Sequence, residues 1–278
     1  MRRRVLLLVG IPVLLSLLTL GPASAEPDGG QPPMGGRPLY LALGDSVAAG
    51  VGASDRAVTG YVPRLYDLLR EEPSCQPLGS PGCRSLVLRN LAVGGATSTT
   101  LLAGQLPAAV AELRARNGDQ NPRNDVEVVT IDIGGNDVFG VVPSCTAGPT
   151  PQCLALVQAR LTTFATNFTQ ILGALRAAAG PGTVIVAMTY YNPLASCDLA
   201  ALAPLADVVL EGGPGFDGRL NDLIRRISAA NGVAVAETYG KLGPADLVGG
   251  SDCLHPNDSG HQIIAEAFAK ALAEAQAP

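Results

Sequence analysis

The chain has 278 residues, with 19 Lys and Arg against 24 Asp and Glu, a formal charge of −5, 47% hydrophobic residues, 4% aromatic residues and no Trp. That acidic balance argues against nucleic acid or an anionic membrane surface as a partner. The scarcity of aromatic rings argues against a stacking groove for sugars.

Met1 is followed by Arg2, Arg3 and Arg4, an apolar stretch from Val5 to Leu20, and then Ala23-Ser24-Ala25. This order predicts a secretory signal peptide over residues 1–25, cleaved after Ala25. The apolar stretch, interrupted by Pro12, is shorter than the roughly 20 residues that a bilayer core requires. Cleavage leaves 253 residues and moves the charge to −8, because the lost segment carries three Arg and no acid. Residues 26–36, rich in Gly and Pro, read as a flexible leader. Residues 37–278 are enough for one large α/β domain. No later run is apolar and long enough to span a membrane, so a secreted monomer with no integral membrane segment is expected.

The first strand is expected from Pro38 to Leu43. It empties into Gly44-Asp45-Ser46-Val47, which places Ser46 in the turn leaving a strand end. Small neighbours there let the backbone bend and a substrate approach, so Ser46 is a candidate nucleophile. Alone, a serine opening a helix is more often its cap. A helix is expected over Gly60 to Glu72, then a second strand over Leu86 to Ala92 within Asn90-Leu91-Ala92-Val93-Gly94-Gly95-Ala96-Thr97. The paired glycines before a helix suit a turn whose N–H groups face a developing oxyanion.

A helical pattern over Thr100 to Arg116 leads to the third strand, Val126 to Ile133, and to Gly134-Gly135-Asn136-Asp137. Asn136 can aim a neutral side-chain amide into the same crevice. Helix Leu154 to Ala179, strand Thr183 to Met188, helix Gly218 to Ala230 and strand Val233 to Glu237 complete the alternation. Strand and helix alternating in this way imply a parallel five-stranded sheet with helices on both faces, and chemistry at the carboxyl ends of the strands.

Near the end stands Asp252-Cys253-Leu254-His255-Pro256-Asn257. A carboxylate three residues before an imidazole can fold back to hold one ring nitrogen and leave the other as base. Pro256 biases His255 away from helix, so its ring is expected on a loop. Asp258-Ser259-Gly260-His261 repeats the spacing. There, however, Asn257 can cap a helix beginning near Asp258, and His261 falls on its apolar stripe with Ile264, Phe268 and Leu272, which makes it a packed structural histidine.

Cys75, Cys83, Cys145, Cys153, Cys197 and Cys253 form an even set, which in an exported protein argues for disulfides. Several connectivities are open, with local bridges favoured for the two close pairs in Pro/Gly-containing loops. No CxxC is present and the chain has two His, so no metal site is expected. The Cys-bounded loop from Val141 to Cys153, following Asn136, is a plausible substrate rim.

Taken together, these four blocks resemble the SGNH hydrolase, or GDSL esterase/lipase, family over nearly the whole mature chain. The resemblance implies a flavodoxin-like three-layer α/β/α sandwich, Ser46 as nucleophile, Asp252 and His255 as its partners, and an oxyanion hole from Ser46, Gly95 and Asn136. Val47 stands where Leu is usual, and Gly94 where Ser is common. Exported six-cysteine members carry sequential disulfides, which implies Cys75–Cys83, Cys145–Cys153 and Cys197–Cys253. The implied activity is carboxylic ester hydrolysis through an acyl-enzyme, without a cofactor, on a small-molecule or lipid ester. The alternatives are a carbohydrate acetylesterase, an acyltransferase using the same site, and an inactive exported binding protein.

Overall fold

The computed structural model describes residues 36–71, 86–145 and 148–277. The leader segments 1–25 and 26–35 and the Cys75–Cys83 pair lie outside them. All six residues of β1 (Leu39–Gly44) are buried, as expected of a strand covered on both faces. It pairs in parallel with β2 (Val87–Asn90) on one side and β3 (Val126–Asp132) on the other. β4 (Val184–Met188) and β5 (Ala234–Ala236) extend the sheet beyond β3, giving the order β2-β1-β3-β4-β5. The sequence reading placed all five within a few residues of their observed bounds.

Helices cover both faces. On one face α1 (Tyr61–Glu71) packs against α8 (Asp258–Ala275), where the Tyr61 and Phe268 rings stack at 5.1 Å. On the other, α3 (Gln105–Asn117) packs on α5 (Pro151–Ala179), which packs on α7 (Leu220–Ala230). The sheet order places a topological switch between β1 and β3, because the chain leaves β1 outward to β2 and then returns across it. Crevices form outside the carboxyl ends of strands at such a point.

Several elements differ from expectation. The helix expected over Thr100 to Arg116 is two: α2 (Ser98–Ala103), capped by Thr97, and α3, with the break at Gly104. A short α4 (Gly135–Phe139) follows β3, and α6 (Ala203–Glu211) occupies a stretch where no element was expected. α5 begins at Pro151, three residues early, because the Thr150 side chain accepts a hydrogen bond from the Cys153 N–H.

His255 is not on a loop but in β7 (Asp252–Pro256), which pairs antiparallel with β6 (Leu247–Gly249). Pro256 excludes helix, as expected, but the extended backbone it favours here completes a hairpin. The hairpin is tied to the preceding chain by hydrogen bonds from Asp198 N to Gly250 O (2.8 Å) and Gly250 N to Ser196 O (3.3 Å), and by the Cys197–Cys253 disulfide. Cys145–Cys153 is also bridged, so two of the three expected pairs are present. No helix among the described residues is long and apolar enough to cross a membrane.

Candidate active site

The site is assembled at the switch point from the ends of β1, β2 and β3 and from the hairpin before α8. Ser46 follows β1 directly, and its Oγ lies 2.9 Å from His255 Nε2. The opposite ring nitrogen, Nδ1, lies 2.9 and 3.0 Å from the two oxygens of Asp252. Asp252 Oδ1 also accepts the backbone N–H groups of Leu254 and His255, both at 3.0 Å. Burial pushes the Asp252 pKa up, but these hydrogen bonds together with the imidazole outweigh it and leave the carboxyl below its ordinary 3.8. An ionised Asp252 can therefore fix the tautomer that leaves Nε2 facing the hydroxyl, an arrangement able to withdraw the Ser46 proton.

The competing Asp258 and His261 do not pair. Asp258 caps the opposite contact, accepting from Ser54 N (2.7 Å), Ser54 Oγ (2.6 Å) and Thr59 Oγ1 (2.8 Å), which hold its pKa down to about 2. His261 is fully buried on α8, accepts at Nδ1 from Tyr61 N–H (3.2 Å) and donates from Nε2 to Val51 O (3.1 Å). Burial lowers its pKa from 6.5 to about 4. A histidine with a depressed folded-state pKa binds fewer protons than the unfolded chain, so its contribution to stability is whole above pH 6.5 and is lost as pH falls toward 4. An NMR titration of the two histidines is expected to show the His261 ring neutral, with its proton on Nε2, down to about pH 4. Protonation of that ring near 6.5 would contradict its burial.

The remaining donors converge from β2 and β3. Asn90, at the end of β2, donates from Nδ2 to Ala48 O at 2.8 Å, and Val93 N–H donates to Gly44 O at 3.1 Å, so the glycine turn is stapled to the Ser46 turn. Gly95 has φ +78°, a conformation that favours glycine, and no atom lies within 4 Å of where a Cβ would stand. Asn136, in the first turn of α4, donates one of its two amide hydrogens to Ala96 O at 2.9 Å, anchoring it beside Gly95. Among the described residues, no acceptor takes the N–H of Ser46 or of Gly95. Asp137 accepts from Ser98 N (2.8 Å) and Ser98 Oγ (2.5 Å), locking α4 onto α2.

Beneath Ser46 lies a pair of acids that sequence reading passed over. Asp45 and Asp132 are buried, and neither has a cationic partner among the described residues. Asp45 accepts from Val47 N (2.9 Å) and Tyr190 Oη (2.7 Å), and Asp132 from Ala48 N (3.2 Å) and Tyr61 Oη (2.6 Å). Asp45 thus holds Val47 and Asp132, from β3, holds Ala48, each carboxyl being fixed in turn by a tyrosine hydroxyl. At Gly44 a Cβ would come within 2.2 Å of Asp132 Oδ1, which is why the position before Asp45 carries no side chain.

Burial raises both pKa values, that of Asp132 well above the ordinary range, and the neighbouring Asp45 charge pushes Asp132 further. Asp132 therefore keeps its proton to higher pH in the folded state than in the unfolded chain. A raised folded-state pKa gives stability that is present below the ordinary value of 3.8 and declines as pH rises above it. Asp132→Asn, which cannot ionise, is expected to flatten that decline in melting temperatures measured from below to above pH 3.8. A lower melting temperature with an unchanged pH profile would mean that Asp132 is ionised in the fold.

The substrate side is an open cleft of about 820 Å³ bordered by Asn136 and His255, with walls from residues 194–199 and 251–254. Among its described residues, the Val141 to Cys153 loop, expected as a rim, supplies no wall of it. Phe139 and Gly140 end α4 at the cleft, and the chain then turns inward so that Val141 and Cys145 are buried. The rim is instead the pair of segments joined by Cys197–Cys253.

Residues 42–263 match the model of the GDSL-like Lipase/Acylhydrolase family. The chain belongs to that family and is, by that membership, a carboxylic ester hydrolase. Among solved structures it is similar to a lipase from a goat rumen metagenome, at 20% identity and a TM-score of 0.59, covering 84% of this chain and 96% of that one. It is also similar to an extracellular lipase from Streptomyces rimosus, at 21% identity and a TM-score of 0.54, covering 84% and 99%. A third likeness is to a catalytic mutant of an acetylxylan esterase from Geobacillus stearothermophilus, at 18% identity and a TM-score of 0.57, covering 84% and 93%. At these identities the three likenesses speak for the fold alone. No curated protein is similar enough to count as a match.

Proposed function

We propose that the protein is an exported serine esterase that cleaves acyl esters through an acyl-enzyme on Ser46. The observation that carries this reading is the continuous chain from Ser46 Oγ to His255 Nε2, at 2.9 Å, and from His255 Nδ1 to Asp252, at 2.9 Å. His255 takes the Ser46 proton as Oγ attacks the ester carbonyl, and Asp252 stabilises the imidazolium. The oxyanion is held by the N–H groups of Ser46 and Gly95 and by the free hydrogen of the Asn136 amide. Collapse releases the alcohol, which takes its proton from His255. Water, deprotonated by the same ring, then attacks the acyl-enzyme, frees the carboxylic acid and restores Ser46.

Export rests on the leader at residues 1–25. Two disulfides among the described residues and the likeness to an extracellular lipase support it. The likeness to an acetylxylan esterase keeps carbohydrate acetates as a second substrate class. Hydrolysis of p-nitrophenyl esters from acetate to laurate, with the Ser46→Ala protein as blank, tests the reading. Inactivity across that series and on acetylated sugar would return the chain to the binding-protein alternative, and ester formed with an added alcohol would identify a transferase.

A further inference from the structure

Three hollows meet at one side chain. The first is the open cleft beside Asn136 and His255. The second, of about 20 Å³, lies under Ser46 against Tyr190, Tyr191 and Pro193. The third, also of about 20 Å³, lies against Val141, Val157, Leu205 and Val209, and every residue lining it is apolar. Phe139 lines all three hollows, and Leu194 lines the cleft and the apolar one. Phe139 is half-buried and packs on both the main core and the small cluster of Leu194, Cys197 and Ala206. Its ring thus stands between the open cleft and a small apolar hollow.

The position of that ring follows from α4. Phe139 stands three residues after Asn136 on one helix, so the two side chains share a face. In the function proposed above, Asn136 holds the carbonyl oxygen, and a chain extending from the carbonyl carbon along that face meets the Phe139 ring. The cleft offers that chain Leu194, Leu199 and Leu254, while its charges, Asp198 and Asp252, are both acidic. Such a lining favours an uncharged aliphatic chain over an anionic one. The void behind the ring is apolar, and a hollow of this kind stays dry, so filling it displaces no bound water.

We propose that Phe139, backed by Leu194, is the chain-length stop of the acyl site, and that the void behind it becomes an extension of the site when the ring is shortened. The natural substrates are then esters of short to medium unbranched aliphatic acids. This inference rests on the serine esterase reading, since only there does Asn136 mark the acyl carbonyl. Each methylene newly buried raises kcat/KM roughly fourfold, from the usual gain per methylene removed from water.

The test is the acetate-to-laurate p-nitrophenyl series run on wild type, Phe139→Ala, Phe139→Leu and Phe139→Trp. The kcat/KM optimum is expected to move to longer chains in Phe139→Ala, less far in Phe139→Leu, and to shorter chains in Phe139→Trp. If Phe139→Ala does not fold, the opposite shifts of the Leu and Trp variants carry the comparison. An unchanged optimum in all folded variants, or a shift to shorter chains on shortening the ring, overturns the stop while leaving the esterase reading intact. Wild-type inactivity on every ester instead overturns the esterase reading.

Discussion

Ser46→Ala is expected to lower kcat on p-nitrophenyl esters by about a millionfold, the scale on which removal of a serine nucleophile acts. The loss follows from the proposed route: without Oγ no acyl-enzyme forms, and His255 Nε2 has no hydroxyl to deprotonate. Ala fits the turn, because the bonds that fix it run from Val47 N–H and Ala48 N–H to Asp45 and Asp132, and none of them uses Oγ. The melting temperature should therefore stay near that of wild type while turnover disappears. Turnover of the purified variant within tenfold of wild type would remove Ser46 from the mechanism.

Asn136→Ala is expected to lower kcat by about a hundred- to a thousandfold, with KM changed far less. A donor that meets the oxyanion acts on the transition state, so its removal falls on kcat. The substitution also deletes the bond from Nδ2 to Ala96 O. Neither Ala nor Asp at 136 keeps that anchor, so the split between kcat and KM carries the assignment, and Asn136→Asp adds a test of charge. A carboxylate at 136 fills similar space but offers no N–H and repels the developing charge, so it should be at least as damaging as Ala. A rise in KM with kcat unchanged would assign Asn136 to ground-state binding instead.

The sheet was legible because its strands are short, mainly apolar runs followed by glycine or turn residues, as in Leu39–Gly44 and Val126–Asp132, and such runs declare themselves locally. Ser46, Asn136 and His255 could be found for a related reason, since each stands at or a few residues past the carboxyl end of a strand. The choice between two D-x-x-H pairs also rested on local chemistry: Asn257 caps α8 through Ser259 N and Gly260 N, so His261 had to face inward.

What stayed hidden depends on residues far apart in the chain. Asp132 reads as the last residue of a strand until the fold brings Ala48 and Tyr61 onto its oxygens, across 84 and 71 positions. Asn90 reads as a strand residue until its amide reaches Ala48. The hairpin β6–β7 is too short for alternation to show, and it is defined partly by its bonds to Ser196 and Asp198. Helix α6 lies in a run of Ala, Leu and Val whose periodicity is blurred, because residues such as Ala203 and Val208 are apolar without being deeply buried.

Ser46 and His255 lie 209 positions apart, one just after the first strand and the other just before the last helix. In the function proposed above, catalytic competence is therefore withheld until both ends of the domain have docked, and a chain whose last hairpin has not docked carries a nucleophile with no base. Ester turnover counts finished molecules, which makes it a direct clock for refolding. It also means that two complementary fragments, each silent, should regain activity only by reassembling the sheet.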